Sequence, residues 1–495
     1  MTPIQLNLYL FAAAVAVFAW IGFSSARRQK SVSDYFHHAS LSKNVVSLTA
    51  TNLTLGTGLV YLVSGAQLNG LLMLLPVICV GVGYWLLALF LERVGLVSLR
   101  TGKNFLAAVD SEIAKATGKQ SIFAKAVSAP LVCVFVLLLA FEIFASAKII
   151  SPFLFKEPTL SSEIVLSIVI FCITVLYAVL GGIRAVFNVD FLQVPLVCMF
   201  LPVFVWIAIP DLDRPGELVS RLGASLNTNS TVLVAVLIAC INSIATQFYS
   251  ILNWGAVSNV EIRQQTKLLR WVGVCTSVVL VLFVLVGLLH PSGESGQVWQ
   301  DLVQHLSSFA SQTTTTAFVF SGIVVLGMAS ILLTTTDAVV VNCIMFWYDN
   351  LAGGNSKDTQ ADERGLTKVR WIGAATFATC FGILLIINYA QPDPFYLLLS
   401  MAGGVVVFAP MIITAGYLAS RGDSLKHLTR NVTLVFLALF LASGIADVIL
   451  LSRKSTLVPY VGLAAFVVST CVSLWLVSRA SPKGREKGTS PIDWG

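Results

Sequence analysis

Apolar residues in this chain run in long, nearly unbroken stretches, without the alternation of a strand or the single apolar stripe of a soluble helix. A helix needs about 20 such residues to cross the hydrocarbon core of a bilayer. By that measure thirteen stretches predict spanning helices: 4–24, 42–66, 69–94, 122–150, 160–181, 185–210, 231–256, 267–290, 314–347, 367–390, 395–419, 429–451 and 457–478. Two connections have their own pattern. Residues 95–120 are charged and amphipathic and predict an interfacial helix. Residues 291–313, with Trp299, Leu302, Val303 and Leu306, predict an outer lid helix.

Three interruptions carry the chemistry. The second stretch contains Asn52-Leu53-Thr54-Leu55-Gly56-Thr57-Gly58, and the seventh contains Asn242-Ser243, Thr246-Gln247 and then Asn253. Both predict broken helices, whose freed backbone groups must face ions or solute because lipid cannot satisfy them. The breaks lie five stretches apart. Stretches two to six and seven to eleven therefore form two five-helix halves, and an odd number per half makes the repeat inverted. The plainer reading of these polar residues is hydrogen-bonding glue between packed helices. The third interruption is Thr334-Thr335-Thr336-Asp337, directly after Ile331-Leu332-Leu333. Hydroxyls and a carboxylate at that depth are costly unless they bind something or pair, and an ion site is the economical explanation. Ile331 and Thr334 share a helix face at i, i+3. Glu142 is a lone carboxylate within an apolar run, costing about 3 kcal/mol on insertion scales.

Composition narrows the class. The 495 residues are 57% apolar and 11% charged, with mean hydropathy +0.86. A soluble domain carries about a quarter charged residues, so this is an integral membrane protein. The net charge of +7 belongs to cytoplasmic loops and gives no reason to expect nucleic acid as a partner. Arg27, Arg28 and Lys30 follow the first apolar run, where a cleaved leader would place its charge before it. Lys and Arg concentrate in alternate connections, including Arg93, Arg100, Lys103, Arg263, Lys267, Lys357, Arg364, Arg421, Lys426 and Lys483. The opposite set is poor in them, apart from Lys156, Arg214, Arg221, Arg453 and Lys454. The bias predicts the N-terminus outside and the C-terminus inside. The 9 cysteines sit in apolar runs with no metal or redox spacing. The five histidines, His37, His38, His290, His305 and His427, fall near span ends or in loops and are expected to be solvated. No Walker A sequence, zinc-protease motif or nucleophile elbow occurs, so transport is favoured over enzymatic chemistry.

Five segments converge on one family. Ser33-Asp34-Tyr35-Phe36 precedes the first core helix. Ala50-Thr51-Asn52-Leu53-Thr54 spans its break. Gly181-Gly182-Ile183-Arg184-Ala185-Val186 is followed by Asp190 and Gln193. Thr334-Thr335-Thr336-Asp337 and Phe408-Ala409-Pro410 complete the set. In this order the chain resembles the sodium/solute symporters, the bacterial relatives of sodium/glucose, proline and sialic acid transporters, from about Ser33 to Tyr417. The resemblance implies an all-α leucine-transporter fold: an extra N-terminal helix, a five-plus-five inverted repeat and two trailing helices. It implies a sodium ion held by the carbonyls of Ala50, Leu53 and Ile331 and the hydroxyls of Thr334 and Thr335. Five neutral oxygens suit a hard monovalent cation. Some members bind a second sodium with the carboxylate that Asp190 matches. Here Asp337 and Ala338 replace the hydroxyl partners, so Asp190 and Asp337 form a second cation site or a proton site. Asp190 has a plainer reading as a helix cap or a gating pair with Arg184.

Solute is expected between the two breaks, with Asn52, Thr54, Thr57, Glu142, Thr246, Gln247 and Asn253 as binding candidates and Tyr61, Tyr249 and Trp254 as gates. The family's Gln near position 142 and its Gln-Arg pair after the second break are absent, and no arginine is placed to hold a solute carboxylate. That weighs against a close sialic acid relative. It leaves amino acids open, because backbone N–H groups at a break could meet their carboxylates.

The resulting organisation is an extra helix over 1–30, a first repeat over 41–210, an outer loop over 211–230, a second repeat over 231–420, two trailing helices over 421–480 and a polar tail over 481–495. The expected function is sodium-coupled import of a small polar organic solute by alternating access, in a multi-pass protein of a bacterial inner membrane. The partners are then a sodium ion, the solute and membrane lipid. A proton-coupled symporter and a transporter-like sensor working with a separate signalling partner are the alternatives.

Overall fold

The computed structural model describes residues 2–27, 29, 31–36, 40–94, 105–117, 122–209, 230–290, 298–312, 314–354, 356, 363–392, 397, 405–420, 430–452 and 458–479. The predicted outer loop, the polar tail and many of the loop cations, Arg100, Lys103, Arg214, Arg421 and Lys483 among them, lie outside the described residues.

The described residues form helices and no strands. In chain order the main ones are α1 (Pro3–Ala26), α2 (Leu41–Thr51), α3 (Gly56–Val63, wound as a π-helix), α4 (Leu74–Val94), α5 (Phe105–Thr117), α6 (Phe123–Leu154), α7 (Leu160–Ala208), α8 (Ser230–Tyr249), α9 (Ile251–Ser258), α10 (Ile262–Leu289), α11 (Val298–Ala310), α12 (Thr315–Phe346), α13 (Glu363–Ala390), α14 (Phe408–Ala419), α15 (Arg430–Ser452) and α16 (Val458–Arg479). Nine helical runs among the described residues are long and apolar enough to cross a membrane, and two shorter apolar helices join them. The protein is therefore an integral, multi-pass membrane protein.

Two runs are too long for one crossing. The 49 residues of α7 would extend about 74 Å at 1.5 Å per residue, against about 30 Å of hydrocarbon. The chain turns within α7 at Gly182 (φ 55°, ψ −159°). Glycine is needed there twice over. Its φ is left-handed, and a Cβ would meet the carbonyl and ring of Tyr35. The 39-residue run Gly56–Val94 likewise turns at Gly70 (φ 64°).

Local signals explain the ends. α1 starts on a capping box in which Thr2 accepts from the Gln5 N–H, with Pro3 in the first turn. Asn7, inside that helix, is 1% exposed. Its amide donates to Ser321 at 2.7 Å and to the Phe153 carbonyl at 3.3 Å, tying α1 to α12 and α6. The two amphipathic connections do carry helices, α5 and α11, and α11 buries Trp299, Leu302, Val303 and Leu306.

The helices pack in two groups. α4 lies against both α8 and α10, with α3 on α10. α1, α6, α7, α12 and α13 form the other group, and α12 runs along α7. α2 touches both, contacting α10 on one side and α7 and α12 on the other.

Two expectations change. The seventh stretch stays helical through Asn242, Ser243, Thr246 and Gln247 and breaks only at Ser250 (φ −62°, ψ 115°). Thr246 and Gln247 are satisfied along the helix, since the Thr246 hydroxyl donates to the Asn242 carbonyl at 2.7 Å and the Gln247 amide to that of Ser243 at 3.0 Å, so they need no break. His290 is 6% exposed rather than solvated. Its ring Nδ1 lies 2.8 Å from the Ala208 carbonyl, and His305 Nε2 lies 3.1 Å from that of Ile207, so both rings pin the end of α7.

Candidate functional site

The first break begins at Asn52, where α2 ends, and helix resumes at Leu55–Gly56. The restart is capped from another element. Glu142, on α6, accepts the Gly56 N–H with both carboxylate oxygens, at 3.0 and 3.2 Å. A helix N-terminus favours a carboxylate through its orphan N–H groups and its dipole. Glycine is required at 56 because a Cβ would lie 2.6 Å from Glu142 Oε2. The Thr57 N–H is taken by the Thr54 hydroxyl at 2.8 Å. The amides that open α3 are thus met from within the protein.

A hydrogen-bonded relay joins the two breaks. The Asn52 amide donates to Tyr84 Oη at 2.7 Å, and Tyr84 donates to Asn253 Oδ1 at 2.9 Å. Asn253 in turn donates to both the backbone and side-chain oxygens of Gln247 at 3.0 Å. Tyr84 and Asn253 are fully buried. Tyr84 is absent from the candidates listed by sequence pattern, because a single tyrosine in an apolar run looks like a packing residue until its partners are known.

A cavity of about 280 Å³ opens beside the breaks. Asn52, Thr54, Thr57, Tyr61, Glu142, Thr246, Gln247 and Tyr249 line it, together with Thr51, Asn242, Ser243, Ser250, Thr276 and Thr335. Glu142 is the one charged side chain among the described residues of its wall, and apolar residues of α6, among them Phe135 and Leu138, cover one side. The Tyr249 hydroxyl is 2.9 Å from that of Thr246. Asn253 and Trp254 lie behind the wall. The Trp254 indole donates to the Phe248 carbonyl at 2.7 Å and stacks on Phe105 of α5, ring centres 4.3 Å apart. Phe90 packs edge-on against Phe105 and Phe248, making an aromatic plug on that side.

The threonine cluster divides between two neighbours. Thr335 Oγ1 is 3.3 Å from the Thr51 carbonyl at the end of α2 and 3.1 Å from the Ile331 carbonyl. The α2 carbonyl it meets is that of Thr51, which lies between the two expected ones, Ala50 and Leu53. The Ala50 carbonyl accepts the Leu53 N–H at 3.0 Å. Thr334 turns to α7, with Oγ1 2.6 Å from Gln193 Oε1 and 2.8 Å from the Ser330 carbonyl. The carboxylates lie on that same side. Asp190 accepts from Ser47 of α2, and Tyr177 donates to Asp337 Oδ2 at 2.7 Å. Asp190 and Asp337 are 3% and 0% exposed. One oxygen of each, Oδ1, has no hydrogen-bond partner among the described residues, and neither does Gln193 Nε2. Asp190 lies within α7, eight residues past the Gly182 turn, so its position is not that of a helix cap. Buried polar atoms are ordinarily satisfied. Two orphaned carboxylate oxygens beside Thr334 are the kind of exception that a cation or a proton resolves. The oxygen-rich donor set is suited to a hard cation.

Solved structures share this architecture. One, described as the substrate-bound, outward-open state of a sodium-coupled sialic acid symporter, matches with a TM-score of 0.66 over 95% of this chain and 98% of that one, at 13% identity. A mutant manganese transporter from Eremococcus coleocola aligns with 89% of this chain and 94% of its own, at 14% identity and a TM-score of 0.45. No family model matches the chain, and neither does any curated protein. The likeness to the sodium-coupled symporter structure is one of fold.

Proposed function

We propose that this protein is a sodium-coupled symporter that imports a small polar organic solute by alternating access. The observation that carries the reading is the meeting of two interrupted helices beside a cavity whose wall includes Thr335, Glu142 and several other polar side chains. The whole-length likeness in fold to a sodium-coupled symporter supports it. The proposal takes the chain as a five-plus-five inverted repeat with an extra N-terminal helix, the N-terminus outside and two trailing helices.

Sodium, as co-substrate, would sit where α2 meets α12, held by hydroxyl and carbonyl oxygens from Thr335, Ile331, Thr334 and the α2 end around Ala50, Thr51 and Leu53. An ion there joins α12 of one helix group to α2, which packs on α10 of the other, and so favours the conformation in which they are together. Its release lets them separate, which is what coupling requires. Asn52, Thr54, Thr57, Thr246 and Gln247 would bind the solute, with Tyr61 and Tyr249 at its edges.

The chemistry of the wall narrows the solute class. Among the described residues a solute carboxylate finds neither Lys nor Arg lining the cavity, and the Gly56 and Thr57 amides are already engaged. Glu142 would repel an anion further. A neutral or cationic solute fits, and about 280 Å³ lies at the small end of ligand pockets, which run from about 300 to 1,000 Å³. Asp190 and Asp337, each with an orphaned oxygen, support a second reading in which a proton or a second cation is co-transported.

Thermal stability of the purified protein against sugars, polyols, amines, amino acids and carboxylates, in sodium and in potassium, tests this. Stabilisation by a neutral or cationic solute in sodium alone is expected. A solute response equal in both salts would move the coupling to Asp190 and Asp337. Stabilisation by anionic solutes only would contradict the assigned class.

A further inference from the structure

We infer that the groove between α4, α8, α14 and α16 binds a single anionic membrane phospholipid. The groove is distinct from the solute cavity. It encloses about 1300 Å³, too large for a small-molecule pocket, and its walls are mainly apolar. Leu86, Leu89, Ile413 and Leu474 line it and remain between 37% and 64% exposed, as side chains in contact with hydrocarbon would.

Its dimensions fit one leaflet. The lining residues run from Ala409 to Ser420 on α14 and from Phe466 to Val477 on α16. Eleven helical steps on each make roughly 16 Å, about half of a 30 Å hydrocarbon core. One acyl chain, lying parallel to the helices, spans that distance.

One end of the groove is cationic. Arg93 lines it and meets no carboxylate among the described residues. The neighbouring Glu92 is neutralised by Arg270 at 2.6 Å. Arg270 also lies over the Trp85 ring and Arg479 over the Trp475 ring, the arrangement of residues anchored at a membrane interface. A phosphate at this end would meet Arg93 with Arg270 close by. About one turn deeper, Ser473 is 5% exposed, lines the groove, and its buried hydroxyl has no partner among the described residues. Turned toward the groove, that hydroxyl would donate to the glycerol ester carbonyl of such a lipid. Apolar length, a cationic end and an orphaned donor between them describe a glycerophospholipid with a net negative headgroup. A lipid lodged there would touch α4 and α8 of one helix group and α14 and α16 outside it, so it would bias how they move past one another.

Native mass spectrometry of the delipidated full-length protein, titrated with phosphatidylglycerol or with phosphatidylcholine, tests the site without sodium or solute. Its outcome is therefore independent of the transport proposal. The expected result is one phosphatidylglycerol retained per protein in preference to phosphatidylcholine. Arg93→Gln, at an exposed position, should lower that preference about fivefold, the contribution of one cation at an anionic surface. Ser473→Phe, which removes the hydroxyl and narrows the groove at that turn, should weaken retention of both lipids. Equal retention of the two lipids by the unmodified protein, or an unchanged preference in Arg93→Gln, would overturn the inference whether or not Ser473→Phe folds.

Discussion

Thr334 and Thr335 are adjacent in sequence but lie about 100° apart around their helix, and that angle sends them to different partners. Thr335 faces the end of α2 and Thr334 faces Gln193 on α7. Thr335 is the residue through which an ion would read whether α2 is in place. Thr335→Ala should weaken sodium binding tenfold or more, about 1.4 kcal/mol. It should cost the fold no more than about 1 kcal/mol, because the hydroxyl's partners are backbone carbonyls of helices that persist without it. Sodium titration of thermal stability, compared between the two proteins, checks this. An unchanged sodium midpoint would move the ion elsewhere. The cluster itself is legible in the sequence, since hydroxyls at that depth demand a reason. Its division between α2 and α7 is not, because Thr51 and Gln193 lie 284 and 141 residues away and no spacing rule reaches that far. Glu142 illustrates the same limit. Its depth marks it as unusual, but only the fold shows that it closes on Gly56.

At the scale of elements, the two breaks differ in how plainly they are written. The first is marked by two glycines and three hydrogen-bonding side chains within seven residues, and it falls among them. The second lacks any such glycine, and its polar residues bond back along the helix, so the chain continues to Ser250 before it opens. What couples the breaks is Tyr84, through a donor on one side and an acceptor on the other. Tyr84→Phe removes both bonds and leaves Asn253 Oδ1 buried without a donor. A loss of about 1–3 kcal/mol is expected, together with solute binding that weakens while sodium binding persists. Thermal unfolding and solute titration read the two effects separately. If neither changes, the relay is only packing.

The whole molecule is where sequence and structure agree most closely. Apolar run length finds the helices, and amphipathic connections find α5 and α11. The turn within α7 is legible as well, since the predicted stretches 160–181 and 185–210 part at Gly182, and the positive φ there shows why a glycine stands at that point. In the proposed transport cycle, the two helix groups, with α2 lodged between them, would be the parts that move. The aromatic plug of Trp254, Phe105, Phe90 and Phe248 closes one side of the cavity. The measurement that tests this account most directly is uptake of the stabilising solute into proteoliposomes under an imposed sodium gradient. An inward sodium gradient should drive accumulation above the external concentration, and replacing sodium with potassium should abolish it. Accumulation that ignores sodium and follows a proton gradient, or none at all with a solute that binds, would contradict sodium-coupled transport.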